Sequence, residues 1–365
     1  MSESQSFASI LCIISRTLFS SSPAISRFPC LSAARGYAAH RYSQFHLSLP
    51  VTFADVLAAR EFLRPYLSPT PLIQRDAVSA ALGLDALLKC ENLLPTAAFK
   101  VRGGLNLLGR DPTAKHGVIA ASTGNHGQSL AYAGKTFGIP VTIVAPRGAN
   151  ALKLAAMRAL GATVVEHGAD YDDARVECER LAAERGIRYV HSGNEPFLIA
   201  GVATASLEVL EDRPDVEVFI VPVGGGSGAA GASIVAKHRQ PGVRVIGVQS
   251  EGAPAAYLSW RERRPMEGGP IRTFAEGLAT RTAFDLPQQI LSELLDDFVL
   301  VSDDELYHAM RLLLVEGHLV AEGAGAAATA AALRLRDELR GKTVALWISG
   351  GNATADSISR ALAAG

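Results

Sequence analysis

Gly117-Val118-Ile119-Ala120-Ala121-Ser122-Thr123-Gly124-Asn125-His126 starts as a run of small and branched apolar residues and passes into a polar turn. The first five residues read as a strand buried on both faces. From His126 to Phe137 the pattern is helical, and Gly138 and Pro140 end it. The alternation then repeats. Strands are expected at Val141–Ala145, Thr163–Val165, Arg188–His191, Val216–Val223, Val243–Val248 and Thr343–Ile348. Helices are expected at Ala151–Leu160, Tyr171–Arg185, Phe197–Leu210, Ser227–Lys237, Ser302–Glu316 and Gly325–Arg340, with a surface loop at Arg261–Pro270. This order argues for an α/β fold with parallel sheets covered by helices on both faces. Ligands in such folds collect at the carboxyl ends of strands. Ser122, Gly224 and Ser349 each follow an expected strand, so one composite site is expected.

The totals fit this picture. The chain has 365 residues, 48% hydrophobic and 19% charged, enough for two domains with a sizeable core. A formal net charge of -1 argues against a nucleic-acid or anionic-membrane partner. Cys12, Cys30, Cys90 and Cys178 are scattered without metal-binding spacing, which suits reduced thiols in a reducing compartment. Residues 1–48 differ from the rest: Glu3 is the only acidic residue before Asp55, Ser is frequent, and Arg16, Arg27, Arg35 and Arg41 are spread through the segment. Two readings stay open, a mitochondrial-type transit peptide or an upstream extension ahead of a fold that starts near Val51. Arg16 interrupts the apolar stretch from Phe7 to Phe19, so no membrane span is expected there.

Upstream of the alternating region lies Pro95-Thr96-Ala97-Ala98-Phe99-Lys100-Val101-Arg102-Gly103-Gly104. A lysine amine is a nucleophile toward an aldehyde only when neutral, so its reference pKa of ~10.4 must be lowered by desolvation or nearby positive charge. Bulky Phe99 and cationic Arg102 flank Lys100 and suit that purpose. Gly224-Gly225-Gly226-Ser227-Gly228 joins a strand to a helix, where small residues let backbone N–H groups close around a phosphate. It is neither a Walker A loop nor GxGxxG, and taken alone it reads equally as a flexible turn. Ser122 to His126 suits a carboxylate, although Ser122 or Thr123 also reads as a plain helix cap. His126 is expected to hold the turn. Ser349, in Ser349-Gly350-Gly351-Asn352, would offer a neutral hydroxyl to a pyridine nitrogen. A ring without a protonated nitrogen is a weaker electron sink, which suits prompt departure of a group from Cβ.

One lysine, one polar turn, one phosphate cradle and one late serine together describe a site for pyridoxal 5'-phosphate. The constellation resembles the fold-type II pyridoxal-phosphate enzymes, and most closely the threonine/serine dehydratase and serine racemase family. The resemblance runs from about Val51 to the C-terminus and takes in Tyr189–Pro196, Thr273–Ala279 and Ala321–Gly325. It implies a tryptophan synthase β-like architecture, two parallel-sheet domains with the cofactor between them. Residues 49–116 and 195–365 would form the large domain and 117–194 a small mobile one. It further implies that Lys100 carries the Schiff base, Phe99 packs near the ring, and Asn125 binds its 3′-oxygen. Gly224, Gly225, Gly226, Ser227 and Gly228 would hold the phosphate, Ser349 would meet the pyridine nitrogen, and Gly277 and Glu322 would line the cofactor. Ser122, Thr123, Gly124, Asn125 and His126 would bind the substrate carboxylate.

Departures from the family pattern carry information. Ala98 stands where the family often has Ser, and Ser227 replaces the fourth loop glycine. Gln249 and Ala255 stand at acidic positions of cation-activated members, with Glu251 only a displaced carboxylate, so no metal is expected. Thr123 matches the racemase serine on the ring face opposite the lysine, which keeps it as a second catalytic candidate. Only residues 353–365 follow Asn352, so feedback control by an added domain is not expected. The expected chemistry is conversion of L-threonine, and of L-serine, to a 2-oxo acid and ammonia. Alternatives are racemisation, another β-elimination or β-replacement, and a cofactor-binding protein with little catalysis. A homodimer in the cytoplasm, or in the mitochondrial matrix if residues 1–48 are a transit peptide, completes the expectation.

Overall fold

The computed structural model describes residues 49–364, so both readings of residues 1–48 fall outside the described residues. The strands are β1 (Leu72–Gln74), β2 (Asp85–Lys89), β3 (Val118–Ala121), β4 (Val141–Ala145), β5 (Thr163–Glu166), β6 (Arg188–Tyr189), β7 (Val218–Pro222), β8 (Arg244–Ser250), β9 (Asp297–Val301) and β10 (Thr343–Trp347). They form two sheets, ordered β1-β2-β10-β7-β8-β9 and β5-β4-β3-β6.

Period-two burial explains the larger sheet. Val218, Ile220, Val344 and Leu346 face one core with Ala326 to Ala332 of the helix Gly323–Arg334. Phe219, Val221, Ala345 and Trp347 face the other, with the helices Pro196–Asp212 and Ser227–Arg239. The smaller sheet is sorted the same way, Val118 and Ala120 on one side and Ile119 and Ala121 on the other. Strands covered on both faces read as continuous apolar runs, which is why they are visible in the sequence.

Three features differ from the sequence expectation. The edge strand β1 pairs antiparallel with β2, because the short link Arg75–Leu84 cannot make a crossover of a dozen residues. The helix expected over Gly325–Arg340 spans Gly323–Arg334. It stops where the chain turns to bury Leu339 and enters β10 through Gly341 at φ 72. The loop expected from Arg261 begins two residues inside the helix Ala255–Glu262.

The helix Lys100–Arg110 packs on the helices Asn125–Phe137 and Pro196–Asp212, so it touches the covering layers of both sheets. Its approach to the first is very close. A Cβ on Gly104 would lie 2.2 Å from the Ser129 hydroxyl, and that hydroxyl donates to the Lys100 carbonyl at 2.6 Å. Among the described residues no helix is long and apolar enough to cross a membrane.

Candidate active site

Strand β7 remains paired through Val223, whose N–H reaches the Val248 carbonyl at 2.8 Å. The chain then leaves the sheet. Among the described residues the N–H groups of Gly224 to Ala229 have no acceptor, and the first occupied one is Ala230, donating to the Gly226 carbonyl at 2.9 Å. Gly226 takes φ 86, and a Cβ on Gly224 would stand 2.1 Å from the Gly277 carbonyl oxygen. This loop is therefore a nest of amide donors at a helix N-terminus, shaped for a phosphate-sized anion.

Lys100 reaches the same place. Its Nζ donates to the Ser227 hydroxyl at 2.9 Å and to the Ser192 carbonyl at 3.1 Å, and lies 5.2 Å from the Phe99 ring centroid. Burial pushes its pKa down to about 8. The contribution expected from Arg102 is not found, because that guanidinium is turned away and engaged elsewhere. It grips Glu91 with Nε at 2.7 Å and Nη2 at 2.9 Å, and Glu208 with Nη1 at 2.6 Å and Nη2 at 2.8 Å. Lys89 completes a charge-balanced buried cluster through Glu208 at 2.6 Å. Two carboxylates held bidentate fix the start of the helix that carries Lys100.

Ser122 serves as a cap: its hydroxyl accepts from the N–H groups of Gly124 at 3.2 Å and Gly127 at 2.9 Å. An oxygen that accepts twice still has its own proton to donate. The N–H groups of Asn125 and His126 have no acceptor among the described residues. The turn is thus an array of neutral donors open to an anion. His126 does not hold the turn through its ring. The imidazole is 5% exposed, and neither nitrogen has a hydrogen-bond partner among the described residues. Burial, helped by the Lys100 charge, pushes its pKa down to about 3. Thr123 is half-buried, and no hydrogen bond ties its hydroxyl to Lys100.

Asn125 connects the turn to the far wall. It donates to Glu322 at 2.6 Å and accepts from Asn352 at 2.8 Å, which leaves one amide proton on offer. Burial raises the Glu322 pKa. The Ser349 hydroxyl donates weakly to the Ala324 carbonyl at 3.3 Å, and the Ser349 carbonyl accepts from the Phe99 N–H at 3.0 Å. The Phe99 ring stands edge-on to Trp347 at 5.8 Å.

The contacts bring Phe99, Lys100, Asn125, the loop 224–228, Gly277, Glu322 and Ser349 to one cleft. Ser122, Thr123, Gly124 and His126 join it through the Asn125 turn. Ala98, buried in a bridge with Gly350, makes no polar contact there. Gln249 is buried, and its carbonyl oxygen accepts from the Tyr257 N–H at 3.0 Å. Sequence reasoning gave no role to Asn352, Ser192, Glu91 or Glu208. Asn352 and Ser192 lie inside quoted segments, whereas nothing local marks Glu208 as the partner of Arg102. The site thus offers an amine of lowered basicity beside a phosphate-shaped nest, which fits an aldehyde cofactor bearing a phosphate.

Comparison with known proteins agrees. Residues 63–350 match the family model described as "Pyridoxal-phosphate dependent enzyme". An L-threonine ammonia-lyase of Thermotoga maritima is 41% identical over 314 residues, 85% of this chain and 78% of that protein. The crystal structure of a T.th. threonine deaminase superposes with a TM-score of 0.79 at 34% identity, covering 83% of this chain and 99% of that one. A serine racemase from Dictyostelium discoideum gives 0.77 at 32% identity, with 83% and 99% covered.

Proposed function

The chain belongs to the pyridoxal-phosphate dependent enzymes, and we infer that it is a lyase converting L-threonine, and L-serine beside it, to a 2-oxo acid and ammonia. The observation that carries this reading is the Lys100 amine, of lowered basicity, beside a nest of unpaired amides. Similarity to L-threonine ammonia-lyase supplies the substrate.

When bound, the cofactor supplies an aldehyde for amines and a conjugated ring that takes up the electron pair left at Cα. The residues do the rest. The amides of Gly224 to Ala229 and the Ser227 hydroxyl would hold the phosphate end. Asn125, kept in place by Glu322 and Asn352, offers its spare N–H toward the ring oxygen. Ser349 would offer the ring nitrogen a hydroxyl rather than a carboxylate, which would leave the ring a moderate electron sink. The Ser122 proton and the Asn125 and His126 amides hold the substrate carboxylate. Lys100, whose lowered basicity leaves a share of it neutral at near-physiological pH, takes the Cα proton from its place beside Ser227. It then stands close enough to the phosphate nest to pass a proton to the departing hydroxyl. Neutral His126 adds no charge that would compete with the lysine for protons.

Residues 117–194 serve as the smaller domain in this reading, and the enzyme works as a homodimer in a reducing compartment. That is the cytoplasm, or the mitochondrial matrix if the Arg- and Ser-rich segment 1–48 is a transit peptide. A panel of β-hydroxy amino acids assayed for 2-oxo acid formation tests the assignment. Release of 2-oxobutanoate from L-threonine is expected, and D-serine from L-serine without 2-oxo acid would move the assignment to a racemase.

A further inference from the structure

The carboxylate turn has a peculiarity: all its donors are neutral, yet the group it is read to bind carries a full negative charge. Besides Lys100, a second cation lies close to the turn: Lys153, from the helix Ala151–Ala159 over the smaller sheet. The Asn150 side chain caps that helix, accepting from the N–H groups of Leu152 at 3.0 Å and Lys153 at 3.3 Å, and so sets where Lys153 leaves the backbone. The side chain then runs beneath the turn. A Cβ built on Gly124 would find Lys153 Cδ at 3.8 Å and Nζ at 3.9 Å as its nearest neighbours. The ammonium is paired with Glu276 at 2.6 Å, from the Thr273–Ala279 segment beside the phosphate loop. The pair is lopsided, with the Lys153 side chain 12% exposed and Glu276 49% exposed. The cation faces the site and its anion faces water. Lys153 also acts on Glu322, whose carboxyl it holds lower against the upward push of burial.

We propose that Lys153 is the cation that draws the substrate's α-carboxylate onto the Ser122–His126 turn, and that Glu276 is its resting counter-ion, exchanged for that carboxylate when substrate arrives. The proposal rests on reading the turn as the carboxylate site. The exchange leaves no charge stranded: a released Glu276 returns to solvent, whereas a Lys153 without any partner would be left nearly buried and alone. It also accounts for how a rim of neutral amides selects amino acids over uncharged amines: the Coulomb attraction acts at the cleft mouth before any hydrogen bond forms.

The test uses cofactor-loaded wild type, Lys153→Gln, Lys153→Arg and Glu276→Gln. The readouts are kcat and KM for L-threonine, the calorimetric Kd of propanoate as a non-reacting carboxylate, and the melting temperature, at low and high salt. Lys153→Gln should raise both KM and the propanoate Kd about tenfold while kcat stays within about threefold, and Lys153→Arg should restore most of the loss. Glu276→Gln should move both constants the other way, with the gain fading at high salt. The proposal is overturned if Lys153→Gln lowers only the melting temperature, or if Glu276→Gln weakens binding as Lys153→Gln does, since the pair would then be a structural clamp. If Lys153→Gln does not fold, the opposite signs expected from Glu276→Gln and its salt dependence decide the matter. Wild type that binds propanoate but leaves L-threonine untouched would remove the assigned reaction and leave the Lys153 arm intact.

Discussion

The Lys100 amine and the Ser227 hydroxyl lie 2.9 Å apart, so the nucleophile and the phosphate loop are in direct contact. Where the family pattern has a glycine, this chain puts a hydroxyl that holds the amine together with the Ser192 carbonyl. Burial of the amine, rather than this contact, sets the pH behaviour of the site.

Burial lowers the Lys100 pKa from 10.5 to about 8. The amine should therefore react with pyridoxal phosphate, followed by borohydride reduction, with a half-maximal rate near pH 8. Peptide mapping should find the adduct on Lys100, and Lys100→Ala should lose both the adduct and the visible absorbance of the loaded enzyme. In the cofactor-free protein the unfolded chain holds the extra proton between these two values. Stability should then rise with pH across that window, and Lys100→Met should flatten the slope. A labelling midpoint near the ordinary lysine value would contradict the burial.

Gly224→Ala places a methyl group 2.1 Å from the Gly277 carbonyl oxygen. The loop must shift and its amides lose their convergence. Overpacking of this kind costs about 1–3 kcal/mol in stability, but the cofactor should suffer more, with a loss of affinity of about a hundredfold, roughly 3 kcal/mol. Equilibrium dialysis against pyridoxal phosphate measures it, and undiminished retention would remove the loop from phosphate binding.

Arg102→Leu leaves Glu91, which is fully buried, without its cation and with only the Thr70 hydroxyl, and deprives Glu208 of one of its two cations. Breaking one side of a buried network costs about 3–5 kcal/mol. Arg102→Lys should recover little, because an ammonium cannot satisfy two carboxylates bidentate. Urea unfolding followed by circular dichroism gives the number, and a loss under about 1 kcal/mol would mean that the cluster is not what positions the helix.

Thr123→Ala separates the two reactions. No hydrogen bond joins Thr123 to Lys100, and the donors proposed for the substrate carboxylate are the Ser122 hydroxyl and the amides of Asn125 and His126. Formation of 2-oxobutanoate should stay within about threefold of wild type, equivalent to under about 1 kcal/mol, while any conversion of L-serine to D-serine disappears. Chiral chromatography of the serine pool reads this out. An equal fall in both products would give Thr123 a place in elimination as well.

The sequence is most legible where chemistry repeats over short range. From β3 onward, apolar runs of strand length are each followed by a helix, several of them stopped by a glycine, and the segments 122–126, 224–228 and 349–352 fall at strand ends. Before Gly117 the pattern names no element. The run Asp85–Lys89 is too short and too mixed to tell from a helix by periodicity, although Gly83 at φ 70 is a usable stop signal. β9 escapes notice for the same reason. Arg102 can be read as a charge near Lys100, but not as one turned away, since Glu208 is brought to it by a helix on another part of the chain. Local composition shows which groups are present, and tertiary packing decides which of them meet.

Gly104 presses the helix Lys100–Arg110 onto Ser129 so closely that not even a methyl group fits between. With Arg102 anchored on the opposite flank, that helix can neither slide nor roll. Both flanks of the helix that begins at Lys100 are therefore pinned, one to the layer over each sheet. The nucleophile heads this fixed rail, so its aim is set by packing on both sides.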